Sequence, residues 1–199
     1  MPHHRLIRTI LAAAALATLA GSVAAQQQQS ADPWYGRMAK PKDFDPPKVF
    51  ANTFSIELPK DWQLAPGHTG TVFLVAEKTK RFQAGAVITL EYMRLQAPFD
   101  PSLLNALAPI ELDDVRRREL AGQTFTLDHK MVDGRALIVI QYDRPGLAGA
   151  PDHVVQYSFP VGRTMYRLIC IAPTAEIQKY RPIFAHAAAS FTPLKGAGG

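Results

Sequence analysis

Cys170 is the only cysteine among 199 residues. No intrachain disulfide can form, so stability must come from an ordinary apolar core. The thiol sits in the run RLICIA (167 to 172), where it serves as a small buried hydrophobe rather than a nucleophile. Long apolar runs are scarce too. The longest, Ile10 to Ala20, is about half of the roughly 20 residues that a membrane span needs. The strings that carry common chemistries are missing as well. There is no HExxH, no paired CxxC and no aspartate-rich calcium loop, and none of His68, His129, His153 and His186 stands four residues from another. A dedicated metal site therefore has little support; His129 and Asp133, flanking a hairpin turn, read as solvent residues, with a weak surface metal contact as the minor alternative. No G-x-S-x-G occurs, and Ser158 lies inside a strand-like run, which favours packing. The stretch GHTGT (67 to 71) lacks the lysine of a phosphate-binding loop and is read as a turn. Asp128-His129 and Asp152-His153 are adjacent pairs; on a strand, neighbours point to opposite faces, so neither is an acid/base dyad. No catalytic residue, metal or cofactor is assigned.

What is present begins with an address. Arg5 and Arg8 precede the apolar run, and small residues ending Val23-Ala24-Ala25 follow it, the pattern of a secretory signal peptide (1–25) cleaved after Ala25. With no cysteine at that point to take a lipid and no second stretch of spanning length, the expected product is a soluble periplasmic or secreted bacterial protein. The formal charge of +5 falls to +3 when the two arginines leave with the leader. Its remaining cations are mixed with acids, as in DDVRRRE (113 to 119), without interleaved aromatics. A nucleic-acid partner is therefore not expected, whereas an anionic envelope surface fits.

From Gln26 to Val49 the chain is rich in glutamine, proline and lysine and lacks an apolar period, which predicts a flexible arm (26–49). Trp34, Tyr35 and Phe44 stand out in it, as aromatics that dock onto the domain or onto a partner. Beyond it, Phe54, Ile56 and Leu58 alternate along a first strand that stops at Pro59, and Trp62 is expected to plug the sheet edge. QLAPGHTG reads as a polar loop, and strands follow near 71–77 and 86–95 as an antiparallel hairpin. Pro109 divides 101–120 into two expected helices, with Ile110, Val115 and Leu112 facing inward and Arg116 to Arg118 in water. Asp133-Gly134 between two strand-like runs predicts a two-residue hairpin turn, because both positions tolerate positive φ. A further hairpin turns around Val161-Gly162-Arg163. The last element carries Ile177, Tyr180, Phe184 and Ala188 at helical spacing, with Thr174 as expected N-cap and a kink or late start at Pro182.

The runs ALIVI (136 to 140) and LICIA (168 to 172) are apolar at successive positions, so both faces of these strands must be covered. Two helical regions are available, one for each side. The expected class is α+β: a three-layer α/β/α sandwich around a mainly antiparallel sheet, one domain over 50–194 followed by a glycine-rich tail (195–199).

A strand ending in FSIELPKDW, antiparallel hairpins, a glycine before the strand containing Tyr166, and Ser190-Phe191 closing the last helix together resemble the PsbP-like superfamily. That group contains the extrinsic P subunit of the photosynthetic oxygen-evolving complex and DcrB-like exported bacterial proteins. The resemblance implies a soluble, non-enzymatic accessory or binding module whose partner is an envelope protein. Trp62, Tyr166 and Phe191, which carry the pattern, are expected in the core with Phe54 and Ile56 of the first strand, and the arm aromatics Trp34, Tyr35 and Phe44 are the candidates for partner binding. The other expectation is a small-ligand carrier or small enzyme, in which a curved sheet encloses an apolar pocket near Asp143, Tyr142 or Tyr157.

Overall fold

A computed structural model describes residues 43–67, 69–78, 85–119, 123–146 and 149–194. The expected leader, the tail, most of the arm, and with it Trp34 and Tyr35, lie outside the described residues. In chain order the elements are β1 (Lys48–Phe50), β2 (Phe54–Ile56), β3 (Gln63–Pro66), β4 (Thr71–Ala76) and β5 (Val87–Arg94). A 3-10 turn, Pro101–Leu103, runs into α1 (Leu104–Arg118). Then come β6 (Phe125–Val132), β7 (Arg135–Pro145), β8 (Pro151–Val161) and β9 (Thr164–Pro173). A second 3-10 turn, Thr174–Glu176, leads into α2 (Ile177–Ser190), and β10 (Thr192–Pro193) follows.

Seven strands form an antiparallel sheet in the order β3-β4-β5-β9-β8-β7-β6, and β1-β2-β10 make a separate small one. The connection from β5 to β6 carries α1 across one face of the large sheet, which leaves β9 to return beside β5. Residues of β7 alternate between two cores. Leu137 and Val139 join a cluster containing Ile177, Tyr180 and Phe184 of α2. Ala136, Ile138, Ile140 and Tyr142 join another containing Leu104, Ala108, Leu112 and Val115 of α1. The helices therefore cover opposite faces, and the architecture is the expected α/β/α sandwich. Each large side chain fully buried this way stabilises the fold by about 1.5–3 kcal/mol. ALIVI is buried throughout, whereas Ile169 and Ile171 of LICIA are only half-buried on the α1 face. One helix is too narrow for the whole face, and Leu74 of β4 is left 37% exposed.

Several expectations are corrected. Gln63–Pro66 is not loop but an edge strand paired with β4 from Gln63↔Ala76 to Pro66↔Phe73; its proline is tolerated because an edge has a side that needs no donor. Pro109 does not divide α1, which runs unbroken from Leu104 to Arg118. The ring removes one backbone bond on an exposed stretch of helix, against burial of Leu104, Ala108, Leu112 and Val115 on the other side. That stripe sets the helix phase, so Ile110 faces solvent, 61% exposed, instead of inward. Pro182 likewise lies inside α2 and does not delay its start. Thr174 is not a cap: its hydroxyl donates to Asp143 Oδ1 at 3.2 Å. The Asp133-Gly134 turn is as expected, with φ of 50° and 75°.

Of the five residues expected in the core, four are buried and Trp62 only partly so. Phe54, Ile56, Tyr166 and Phe191 are buried, and Phe191 lies 5.2 Å from Phe54, 5.3 Å from Tyr166 and 4.6 Å from Phe159, ring centre to ring centre. This aromatic knot ties the small sheet and the end of α2 to the large sheet. Trp62 is half-buried, edge-on to Tyr180 at 6.3 Å.

Candidate interaction site

The hairpin end of the large sheet carries a groove of about 190 Å³. Its walls come from four separate segments: Phe99 and Pro101 before α1, Met131 and Arg135 of the β6–β7 hairpin, Phe159 of β8, and Pro193 after α2. Local chemistry sets each wall. Asp133 and Gly134 close the β6–β7 turn, and a Cβ on Gly134 would meet nothing within 4 Å. The strap before α1 is tied to the β8–β9 turn by Leu95 N–H donating to Arg163 O and Phe99 N–H donating to Gly162 O, both at 2.7 Å. Arg163 Nη2 donates back to Gln96 O at 2.7 Å. Asp100 then starts the 3-10 turn by accepting from Ser102 N–H at 2.9 Å, a bond that holds its carboxyl below the usual range. Arg135 Nη1 donates to Phe191 O, which fastens the chain after α2 to the same hairpin. The lining is mostly apolar, with Arg135 as its charged member. It can seat a side chain; it holds no acid/base pair.

Polar chemistry is concentrated elsewhere. Under α1, the Glu111 carboxylate accepts from Arg167 Nε at 2.6 Å and Arg167 Nη2 at 2.7 Å. It also accepts from Gln156 Nε2 at 2.8 Å and Ser158 Oγ at 2.9 Å. Arg167 Nη2 reaches Asp114 Oδ2 at 2.7 Å. Glu111 is 3% and Arg167 7% exposed. Burial pushes Asp114 up, but the Arg167 and Arg118 guanidiniums outweigh it and hold its carboxyl below the ordinary range. Such a satisfied network fixes how α1 sits on the sheet. Ser158 thus does more than the packing expected of it, and Glu111 and Arg167 were missed altogether. One signal was available: an arginine opening the otherwise apolar run RLICIA has to be answered by a buried acid.

The sequence-adjacent Asp–His pairs are not dyads, as expected, but β7 and β8 create a cross-strand one. His153 Nδ1 donates to Asp143 Oδ1 at 2.7 Å. The nearby Thr174 hydroxyl donates to the carboxylate rather than to the imidazole, so no nucleophile is activated. Asp143, Tyr142 and Tyr157, the residues of the alternative pocket expectation, are not brought together around a shared space. The two tyrosines are buried on opposite faces of the sheet, in different cores, Asp143 is 58% exposed, and none of the three lines the groove. Phe44, one of the three arm aromatics, is buried in the domain core. Its ring centre lies 4.0 Å from that of His186, whose Nε2 meets Glu57 Oε2 at 2.7 Å. Of its two expected destinations, domain or partner, Phe44 takes the domain, and the described end of the arm packs as part of the fold. Among the described residues no three metal-ligating side chains cluster, and no helix is long and apolar enough to cross a membrane.

No family model and no curated protein matches the chain by sequence. Solved structures do. The cyanobacterial PsbP (CyanoP) of Synechocystis sp. PCC 6803 superposes with a TM-score of 0.56 at 9% identity, over 79% of this chain and 95% of that one. LpqN of Mycobacterium tuberculosis, described as involved in cell envelope biogenesis, gives 0.53 at 16% identity over 75% and 86%. The domain has the PsbP-like fold. Within that fold, the aromatic knot around Phe191 and the half-buried Trp62 belong to the framework, and the groove lies at the hairpin end of the sheet.

Proposed function

We propose that this chain is an exported accessory module of the cell envelope that works by protein–protein contact, and that the hairpin-end groove receives an apolar side chain of its partner. The groove carries the reading. At about 190 Å³ it is smaller than the roughly 300–1,000 Å³ typical of small-molecule sites, which disfavours the carrier alternative, yet it accepts one large side chain. Hydrogen bonds tie the strap, the β8–β9 turn and the chain after α2 at its mouth, which lowers the ordering needed on binding. The leader pattern at 1–25 and the fold shared with an envelope-biogenesis protein support export and envelope residence. Enzymatic activity is not part of this proposal.

A photo-reactive residue at exposed Pro101, compared with one at exposed Asp113 on the outer side of α1, tests it in cells expressing the full chain. The expected result is a discrete cross-linked species from position 101 alone, lost when Arg135 and Phe159 are kept but Met131 is changed to Asp, together with a mature N-terminus at Gln26. Equal labelling from both positions, or retention of the leader in the cytoplasm, refutes the reading.

A further inference from the structure

The two edges of the large sheet are unlike. The β3 edge is four residues long and ends at Pro66, a common way to blunt an edge. The β6 edge is eight residues, FTLDHKMV, without proline, and its register with β7 is unbroken from Phe125↔Tyr142 to Val132↔Arg135. Because the turn has two residues, both at positive φ, Val132 and Arg135 form the hydrogen-bonded pair that closes it. Alternation then directs the backbone groups of Lys130, Asp128 and Thr126 to β7, and those of Met131, His129 and Leu127 away from the sheet.

We propose that β6 pairs antiparallel with β6 of a second copy about a twofold axis at His129, merging two seven-stranded sheets into one. The strand is self-complementary in that register. Leu127 faces Met131 of the other copy and His129 faces its own counterpart as hydrogen-bonded pairs, contributing about six backbone bonds. Between them, Asp128 faces Lys130 of the other copy, twice. Sliding the strands by two residues either way instead sets Asp128 against Asp128 or Lys130 against Lys130, so charge selects the register. Pairing also covers Met131, which is 43% exposed in one copy. The His129 imidazole is held toward α1 by Asn105 Oδ1 at 3.1 Å, which leaves its backbone groups to the partner strand. Met131 also lines the groove, so the two surfaces adjoin; the inference rests on the β6 backbone and the Asp128 and Lys130 charges, not on the function proposed above.

Sedimentation velocity of the leader-free chain tests it, with wild type, Asp128→Lys, Lys130→Asp and the double variant. The wild type is expected to dimerise reversibly in the range of about 1–100 μM, as suits a small interface. Each single variant turns both cross-strand pairs repulsive and should weaken dimerisation roughly tenfold or more. The double variant restores it, and an equimolar mixture of the two singles forms a heterodimer, which also shows that neither has misfolded. A wild type that stays monomeric, including one that adds an extended peptide at β6 instead, overturns the proposal. So does a dimer indifferent to these exchanges.

Discussion

Replacing Arg167 by alanine removes the cation that faces a carboxylate only 3% exposed. Glu111 would keep Gln156 and Ser158 as donors, at 2.8 and 2.9 Å, but lose both charge-assisted bonds to the guanidinium. Breaking a buried pair by deleting one partner costs about 3–5 kcal/mol. Each kcal/mol moves Tm by about 2–4 °C in a domain of this size, so the expected drop is roughly 6–20 °C. Glu111→Ala should cost less, because Arg167 retains Asp114 at 2.7 Å. Urea unfolding of both single variants and the double variant supplies the cycle, and the two sites should couple by about 1–3 kcal/mol. Acid titration adds a second readout. Asp114 sits below its ordinary pKa in the fold, so its contribution is complete above the unfolded value near about 4 and is lost as pH falls through the folded value. Arg167→Ala removes the largest cause of that lowering, and the variant should lose less of its stability than wild type between about pH 5 and 3. Additive single effects, or an unchanged acid limb, would refute the claim that this network clamps α1 to the sheet.

Two further outcomes follow from the fold. Cys170 is fully buried and burial pushes its thiol well above the usual range; a thiol reagent should leave the native protein unmodified and label one site per chain once urea unfolds it, and rapid native labelling would contradict the core assignment. Gly134 holds a φ of 75° and an added Cβ there would meet nothing within 4 Å, so Gly134→Ala carries a backbone cost alone, about 1–2 kcal/mol, visible as a lowered urea midpoint with unchanged slope. A shifted slope would instead indicate loss of the β6–β7 hairpin itself.

Elements governed by neighbours along the chain were legible. Asp133-Gly134 specifies a turn because its two residues tolerate positive φ, and Ile177, Tyr180, Phe184 and Ala188 mark a helix face because four residues bring side chains back to one side. ALIVI demanded cover on both faces, and two helical segments were available to supply it. Where the reading failed, a nonlocal term outweighed a local one. Proline costs a helix one bond, but the sheet-facing stripes of α1 and α2 outweigh it. Gln63–Pro66 is polar and proline-capped, yet β4 offers it a ladder.

Function lies further from what the chain spells out. The groove draws on four segments, from Phe99 to Pro193, and the buried network joins Glu111 to Arg167 across three intervening strands. By itself the sequence determined the turns, the helix stripes and the need for two covering layers, since each depends on residues a few positions apart. Which strands lie together, which face α1 leaves open, and which side chains meet at the hairpin end were decided only by tertiary structure. Those outcomes depend on burying apolar surface from many segments at once, a quantity that no short segment contains.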